Sequence, residues 1–344
     1  MKRNTLVEWM RFLFSLLVVG YHIQMSMKDG GAHFFANGAV AVEFFFLISG
    51  YFMARSVEKI SKKADAKLLP ETGAFMKGKI IGILPGHVAA MVLMILVVVI
   101  FDRAESGWRL GRGIPGMFLV QMGAFWNGSY TESLIIPEWY LSSMLLCMLV
   151  MFLVLLLLRK KYKSLTADLI SMGFFSALAL VLAIVLQGMP QNLMWDFRAM
   201  LEMHIGMLIY EAASCFTKKD IANIGRLKAV ECIGYGLPVL LGFLPLPGSL
   251  QPVCMAVTII GVGLAMIITF SGKGIQIREE KPNRAFAYLG SISLFIYLFH
   301  PVLIELFTYV APTASLSVRM AIIFPMSVGC AALFAAIMQR IRKQ

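Results

Sequence analysis

A chain of 344 residues that is 59% hydrophobic and only 15% charged is too apolar for the surface of a water-soluble domain of that length. Its formal charge of +12 comes from Lys and Arg clustered between apolar runs, a pattern that membrane topology explains and that excludes a nucleic-acid-binding stripe. The five cysteines, Cys147, Cys215, Cys232, Cys254 and Cys330, lie in or beside apolar segments without CxxC or Cys/His ligand spacing, so they read as small packing residues and no metal is expected.

Apolar runs of roughly 17 to 25 residues recur along the whole chain, the length needed to cross about 30 Å of hydrocarbon. The expected fold is all-α: a polytopic transmembrane bundle of about ten spans in one domain, residues 1–344, with no appended soluble domain. The first span, 7–25, follows a basic start, carries Arg11 and His22, and ends without a small-residue cleavage site, which marks a retained signal anchor. Spans 36–55 and 79–100 come next. The longest connector, 101–138, contains a Gly- and aromatic-rich stretch at Gly111–Tyr130 suited to a partial helix or an interfacial cap. Spans 139–158, 169–187 and 199–212 follow. The last of these is short, and the next, 229–245, contains Pro238 and glycines, so either could be broken, tilted or re-entrant. Spans 251–271, 287–308 and 319–338 complete the set, with short, nearly uncharged turns near Leu246–Leu250 and Tyr309–Ser317.

Lys and Arg counts orient this arrangement. The two ends plus the second, fourth, sixth and eighth connectors hold 24, and the opposite connectors hold 5, namely Lys28, Arg103, Arg109, Arg112 and Arg198. The bias puts both termini on the cytoplasmic side and favours an even number of spans. Acidic lipid headgroups or phosphate are secondary partners for the same clusters.

Ionisable groups within the spans carry the functional signal. Arg11 and His22 are eleven residues apart, about three turns, so they share a helix face about 16 Å apart in depth. A charged Arg facing lipid is costly, which turns this face toward the bundle or a polar cavity; snorkelling to the two interfaces is the structural alternative. Glu43 lies inside NGAVAVEFFFLISGYF, where a carboxylate is either protonated or partnered, with His22 and Arg11 as candidates or a helix-packing hydrogen bond as the alternative. Gly38 and Gly50 flank it at positions suited to close helix approach. His300 precedes Pro301, which removes a backbone donor and frees a carbonyl one turn back. Glu305, farther along that span, reads as interfacial. Trp139 and Tyr140 open their span where an aromatic belt, or rings packed on a sugar, are both suited. Glu202 and His204 are pocket-rim candidates, His33 lies in a loop, and His87 is placed near the inner start of the third span.

A neutral His can take the proton of an alcohol as it attacks a thioester. No GxSxG elbow, HExxH site or P-loop is present, while a proton-coupled transporter uses the same residue types. The motifs together resemble the acyltransferase-3 family of integral membrane acyltransferases across nearly the whole chain. They are Arg11 with ten residues before His22, Gly38–Phe52 with Glu43 and Ser49-Gly50-Tyr51, Lys77–Pro85, Trp139–Ser142, and Tyr297–Pro301. Two positions depart from the pattern: Glu43 stands where Asp is common, and Met144 stands where a Glu is often found.

The resemblance implies transfer from a cytoplasmic acyl-CoA, acetyl-CoA first and succinyl-CoA as the alternative, to a hydroxyl of an extracytoplasmic glycan or glycolipid, in a bacterial inner membrane. On it rest the expected roles: His22 as general base, Glu43 supporting the catalytic hydrogen-bond network, Arg11 with Lys77 and Lys79 binding the donor, and Trp139, Tyr140 and His300 contacting the acceptor. A transporter or flippase for a lipid-linked glycan or envelope metabolite is the competing class. No pattern in the residues specifies the sugar or an oligomeric state.

Overall fold

The computed structural model describes residues 4–27, 34–63, 65–123, 133–220, 223–277 and 280–341, and every regular element among them is helical. Helix α1 (Thr5–Met25) is followed by a 3-10 turn (Gly38–Val40) that runs into α2 (Ala41–Ser61), then α3 (Leu68–Phe101) and the short α4 (Ser106–Arg112) and α5 (Ile114–Met117). A second 3-10 turn (Ile136–Glu138) leads into α6 (Trp139–Leu158), followed by α7 (Ser164–Val185), α8 (Gln191–Thr217) and α9 (Ile224–Phe243). The chain ends with α10 (Gln251–Phe270), α11 (Glu280–Val310) and α12 (Leu316–Ile341).

Each expected span falls on a helix. Among the described residues, eight are long and apolar enough to cross a membrane: α1, α2, α3, α6, α7, α10, α11 and α12. The chain is an integral membrane protein. Apolar side chains that α3 and α7 leave exposed, such as Leu93, Leu96, Leu180 and Ile184, would be an aggregation hazard in water and match hydrocarbon. Helices α8 and α9 fall outside the eight because α8 carries Asp196, Arg198, Glu202 and Glu211 and α9 carries Arg226, Lys228 and Glu231.

Helix α3 corrects one boundary. It starts at Leu68, well before residue 79, because nothing between Leu68 and Lys79 forces a break and the polar first turns close with Thr72 Oγ1 donating to the Leu68 carbonyl at 2.8 Å. Its 34 residues span about 51 Å, so its ends outrun the hydrocarbon. His87 sits mid-helix and is buried. Of the Gly111–Tyr130 stretch, the described part ends at residue 123 and contains α5.

By internal packing the chain divides into two units: Met1–Phe44, Gly86–Ser106 and Asp220–Gln344 form the first, and Phe45–Pro85 and Gly107–Lys219 the second. In the first, α1 is capped by Asn4, whose side chain accepts from the Leu6 and Val7 amides. It packs on α11 through Val19 and Ile23 against Ile292 and Ile296, with Ile323 and Ala331 of α12 completing that core. Gly38 lies over the Leu17 carbonyl, 2.7 Å from where a Cβ would stand, the close approach expected from its position. Glu231 of α9, fully buried, accepts from Thr269 Oγ1 and from the Ile275 amide, each at 2.6 Å, and so ties α9 to the end of α10.

In the second unit, Gly50 of α2 and Gly206 of α8 let the two backbones meet: a Cβ on either would overlap the carbonyl of Met203 or Leu47. Phe75 stacks on Phe152 at 4.0 Å. Arg159, just beyond α6, is locked by Asp168 at 2.9 Å and Glu211 at 3.5 Å. The connector before α6 is fastened by the Met122 amide on Ser142 Oγ at 3.1 Å and by Asn192 Nδ2 on the Gln121 carbonyl at 3.2 Å.

Candidate active site

Helix α1 presents Arg11 toward one end and His22 in its last turn, and α11 brings His300 to the same level. His300 is fully buried. Its Nε2 lies 3.0 Å from Nδ1 of His22, with the rings 5.0 Å apart and inclined by 31°. On the other side, Nδ1 of His300 faces the Ile296 carbonyl at 3.3 Å. Tyr297 is four residues before Pro301, and the proline has no N–H to offer it.

Carbonyls only accept, so they assign the proton of His300 to Nδ1 and leave a lone pair on Nε2. That lone pair accepts from Nδ1–H of His22. The unprotonated nitrogen of His22 is then Nε2. The Ile296 carbonyl and the His22 imidazole together hold the His300 ring in one orientation and one tautomer.

Near the other end of α1, Arg11 Nη1 is 3.7 Å from Glu8 Oε1, with the Arg side chain one-third exposed and the Glu buried. Glu8 packs over Gly290 of α11, where a Cβ would overlap its carboxylate. Glu43, in the first turn of α2, is fully buried. Arg11, His22, Glu43 and His300 all belong to the first unit. Lys77, Lys79, Trp139 and Tyr140 belong to the second.

In the second unit, Lys77 is exposed on α3, and Lys79 is half-buried with its Nζ 5.3 Å from the Phe75 ring. Trp139, half-buried, packs against Trp195 at 5.3 Å and Phe46 at 6.3 Å. Tyr140 is buried against Phe46 at 4.6 Å, and its hydroxyl meets Ser49 Oγ and Met144 Sδ, each at 3.5 Å. Glu202 accepts from Arg198 Nε at 2.8 Å, and His204, held between Ser171 Oγ at 2.9 Å and the Met200 carbonyl at 2.7 Å, lines a cavity of about 270 Å³ together with Arg198. Glu305 is half-buried and accepts from Tyr309 at 3.3 Å. His33 lies outside the described residues.

Several polar groups were not singled out from sequence. Glu138 is fully buried beside Trp139. Asp196 accepts from Ser143 Oγ at 2.6 Å, and the Trp195 ring carries Arg198 at 4.7 Å. An acid inside a helix is the signal that finds Asp196; its Ser partner, 53 positions away, is visible only in the fold. Among the described residues, no group of three or more His, Cys, Asp and Glu is placed to hold a metal ion.

Compared with family models, residues 4–337 match the one described as an acyltransferase domain. The chain belongs to the acyltransferase-3 family. Membership across nearly the full length, together with the long apolar helices, assigns it membrane-associated acyl transfer. Neither the curated proteins nor the solved structures contain a match.

Proposed function

We propose that this family member transfers an acetyl group from cytoplasmic acetyl-CoA to a hydroxyl of an extracytoplasmic glycan or glycolipid. The observation that carries the reading is the His22–His300 pair, 3.0 Å apart, because it presents a neutral imidazole with its Nε2 lone pair directed away from the partner. In the proposed reaction His22 Nε2 takes the proton of the acceptor hydroxyl as its oxygen attacks the thioester carbon. The tetrahedral species collapses with loss of the CoA thiolate, which takes the same proton back from the imidazolium. Acetylated acceptor and CoA thiol are formed and no acyl-enzyme is needed.

His300, with both ring nitrogens engaged, serves this scheme as a positioning residue and not as an acceptor contact. It fixes the tautomer of His22 and accepts from its Nδ1–H while the ring is charged. Glu43 offsets that transient positive charge. Arg11, on the same face of α1 about 16 Å from His22, aligns the donor, and Lys77 and Lys79 draw its phosphates to the inner mouth. Trp139, with Tyr140 behind it, supplies the aromatic surface for the sugar. In this reading α8 and α9 also cross, giving ten spans with both termini cytoplasmic, and the host membrane is the bacterial inner membrane.

Incubating the purified protein in lipid with labelled acetyl-CoA or succinyl-CoA and a panel of envelope glycans tests donor and acceptor together. Labelled ester on a glycan, with acetyl preferred, is expected. Movement of unmodified glycan across the bilayer without CoA release would overturn the reading in favour of transport.

A further inference from the structure

The second unit contains a cavity of about 420 Å³ whose lining includes Ser61, Lys63, Lys67, Leu68, Arg159 and Lys160. Two stretches build it: the link from α2 to α3 and the end of α6 with the residues after it. Both links belong to the Lys- and Arg-rich set. Three carboxylates answer the four cations. Lys63 pairs with Glu71 at 2.9 Å, and Arg159 pairs with Asp168 at 2.9 Å and Glu211 at 3.5 Å. Lys67 and Lys160 are exposed and, among the described residues, form no ion pair. The Arg159 side chain is only 3% exposed, yet its Nε–H is buried without an acceptor.

Positive-inside topology alone scatters lysines into water. It does not gather them around a cavity, and it does not bury an arginine donor unpaired, which is costly in a folded chain. A multiply charged anion with several acceptor oxygens satisfies both features. The volume lies in the range of small-ligand sites, about 300–1,000 Å³, which suits a nucleotide better than a lone ion.

We infer that this cavity is a binding site for a phosphate ester and, resting on the acyl-transfer reading above, that it seats the 3′-phosphorylated adenosine end of the CoA donor. An anionic lipid headgroup offers the same phosphate chemistry. The test therefore measures equilibrium binding of CoA and of 3′-dephospho-CoA to the full chain, purified in phosphatidylcholine bilayers with and without phosphatidylglycerol. It compares wild type with Lys67→Ala/Lys160→Ala, a change at two exposed positions.

Wild type is expected to bind CoA about tenfold more tightly than the dephospho form, and the double variant to bind the two equally. An unchanged ratio in the variant, or no ratio in wild type, overturns the nucleotide seat. So does a defect that emerges only when phosphatidylglycerol is added, which would identify a lipid site. The two readings fail separately: the expected binding pattern without labelled acyl transfer rejects the proposed acetyl transfer to a glycan, whereas full transfer with an unaltered ratio rejects the cavity alone.

Discussion

His22 and His300 form a directional chain of hydrogen bonds that begins on the Ile296 carbonyl and ends on Nε2 of His22. If that nitrogen is the base, His22→Ala lowers kcat by about 10²- to 10⁴-fold in protein that still folds. His300→Phe keeps a ring in the core but removes the acceptor of His22 Nδ1–H. It is expected to lower kcat about five- to tenfold with KM little changed, and His300→Gln, which restores an acceptor, to recover part of the loss. Equal rates for Phe and Gln would reject the positioning role. Arg11, His22 and Glu43 were legible in the sequence because charge inside an apolar run is conspicuous. Their assembly was less so: the two histidines are 278 positions apart, and nothing local shows that α1 and α11 pack with those rings in register.

At the scale of helices, Pro301 has a job that can be tested by giving its N–H back. Pro301→Ala lets the helix close on the Tyr297 carbonyl with a backbone N–H, which changes the backbone directly beside His300 and with it the aim of the ring held by Ile296. A several-fold fall in kcat with an unchanged melting temperature is expected, and wild-type kcat would show the proline to be incidental. In the second unit, Gly206→Leu forces a side chain onto the Leu47 carbonyl. Thermal unfolding in detergent should move down by several degrees, reflecting about 1–3 kcal/mol of overpacking; an unchanged transition would show that α2 and α8 separate freely. Apolar run length located the eight long apolar helices. It misplaced the start of α3, because the segment 68–78 is polar and helical at once, and periodicity of apolar residues is silent there. It also undersized α8, whose acids and Arg198 are satisfied by partners such as Ser143 and Glu202 that composition cannot reveal.

For the molecule as a whole, the proposed function requires a chain that takes its donor from one side of a membrane and its acceptor from the other. The proposed topology rests on Lys and Arg counts, and single cysteines in a cysteine-free background test it. Lys160→Cys should be shielded from an impermeant thiol reagent in intact cells and Pro312→Cys labelled; labelling of both would break the even count of spans. The direct measurement is transfer of labelled acetyl from acetyl-CoA to a glycan acceptor by wild-type and His22→Ala protein in lipid, with CoA binding followed in parallel. Labelled product from wild type, at least about 100-fold less from the variant, and equal CoA affinity are expected. A folded His22→Ala protein that transfers acetyl at the wild-type rate would contradict the assignment of His22 as the base.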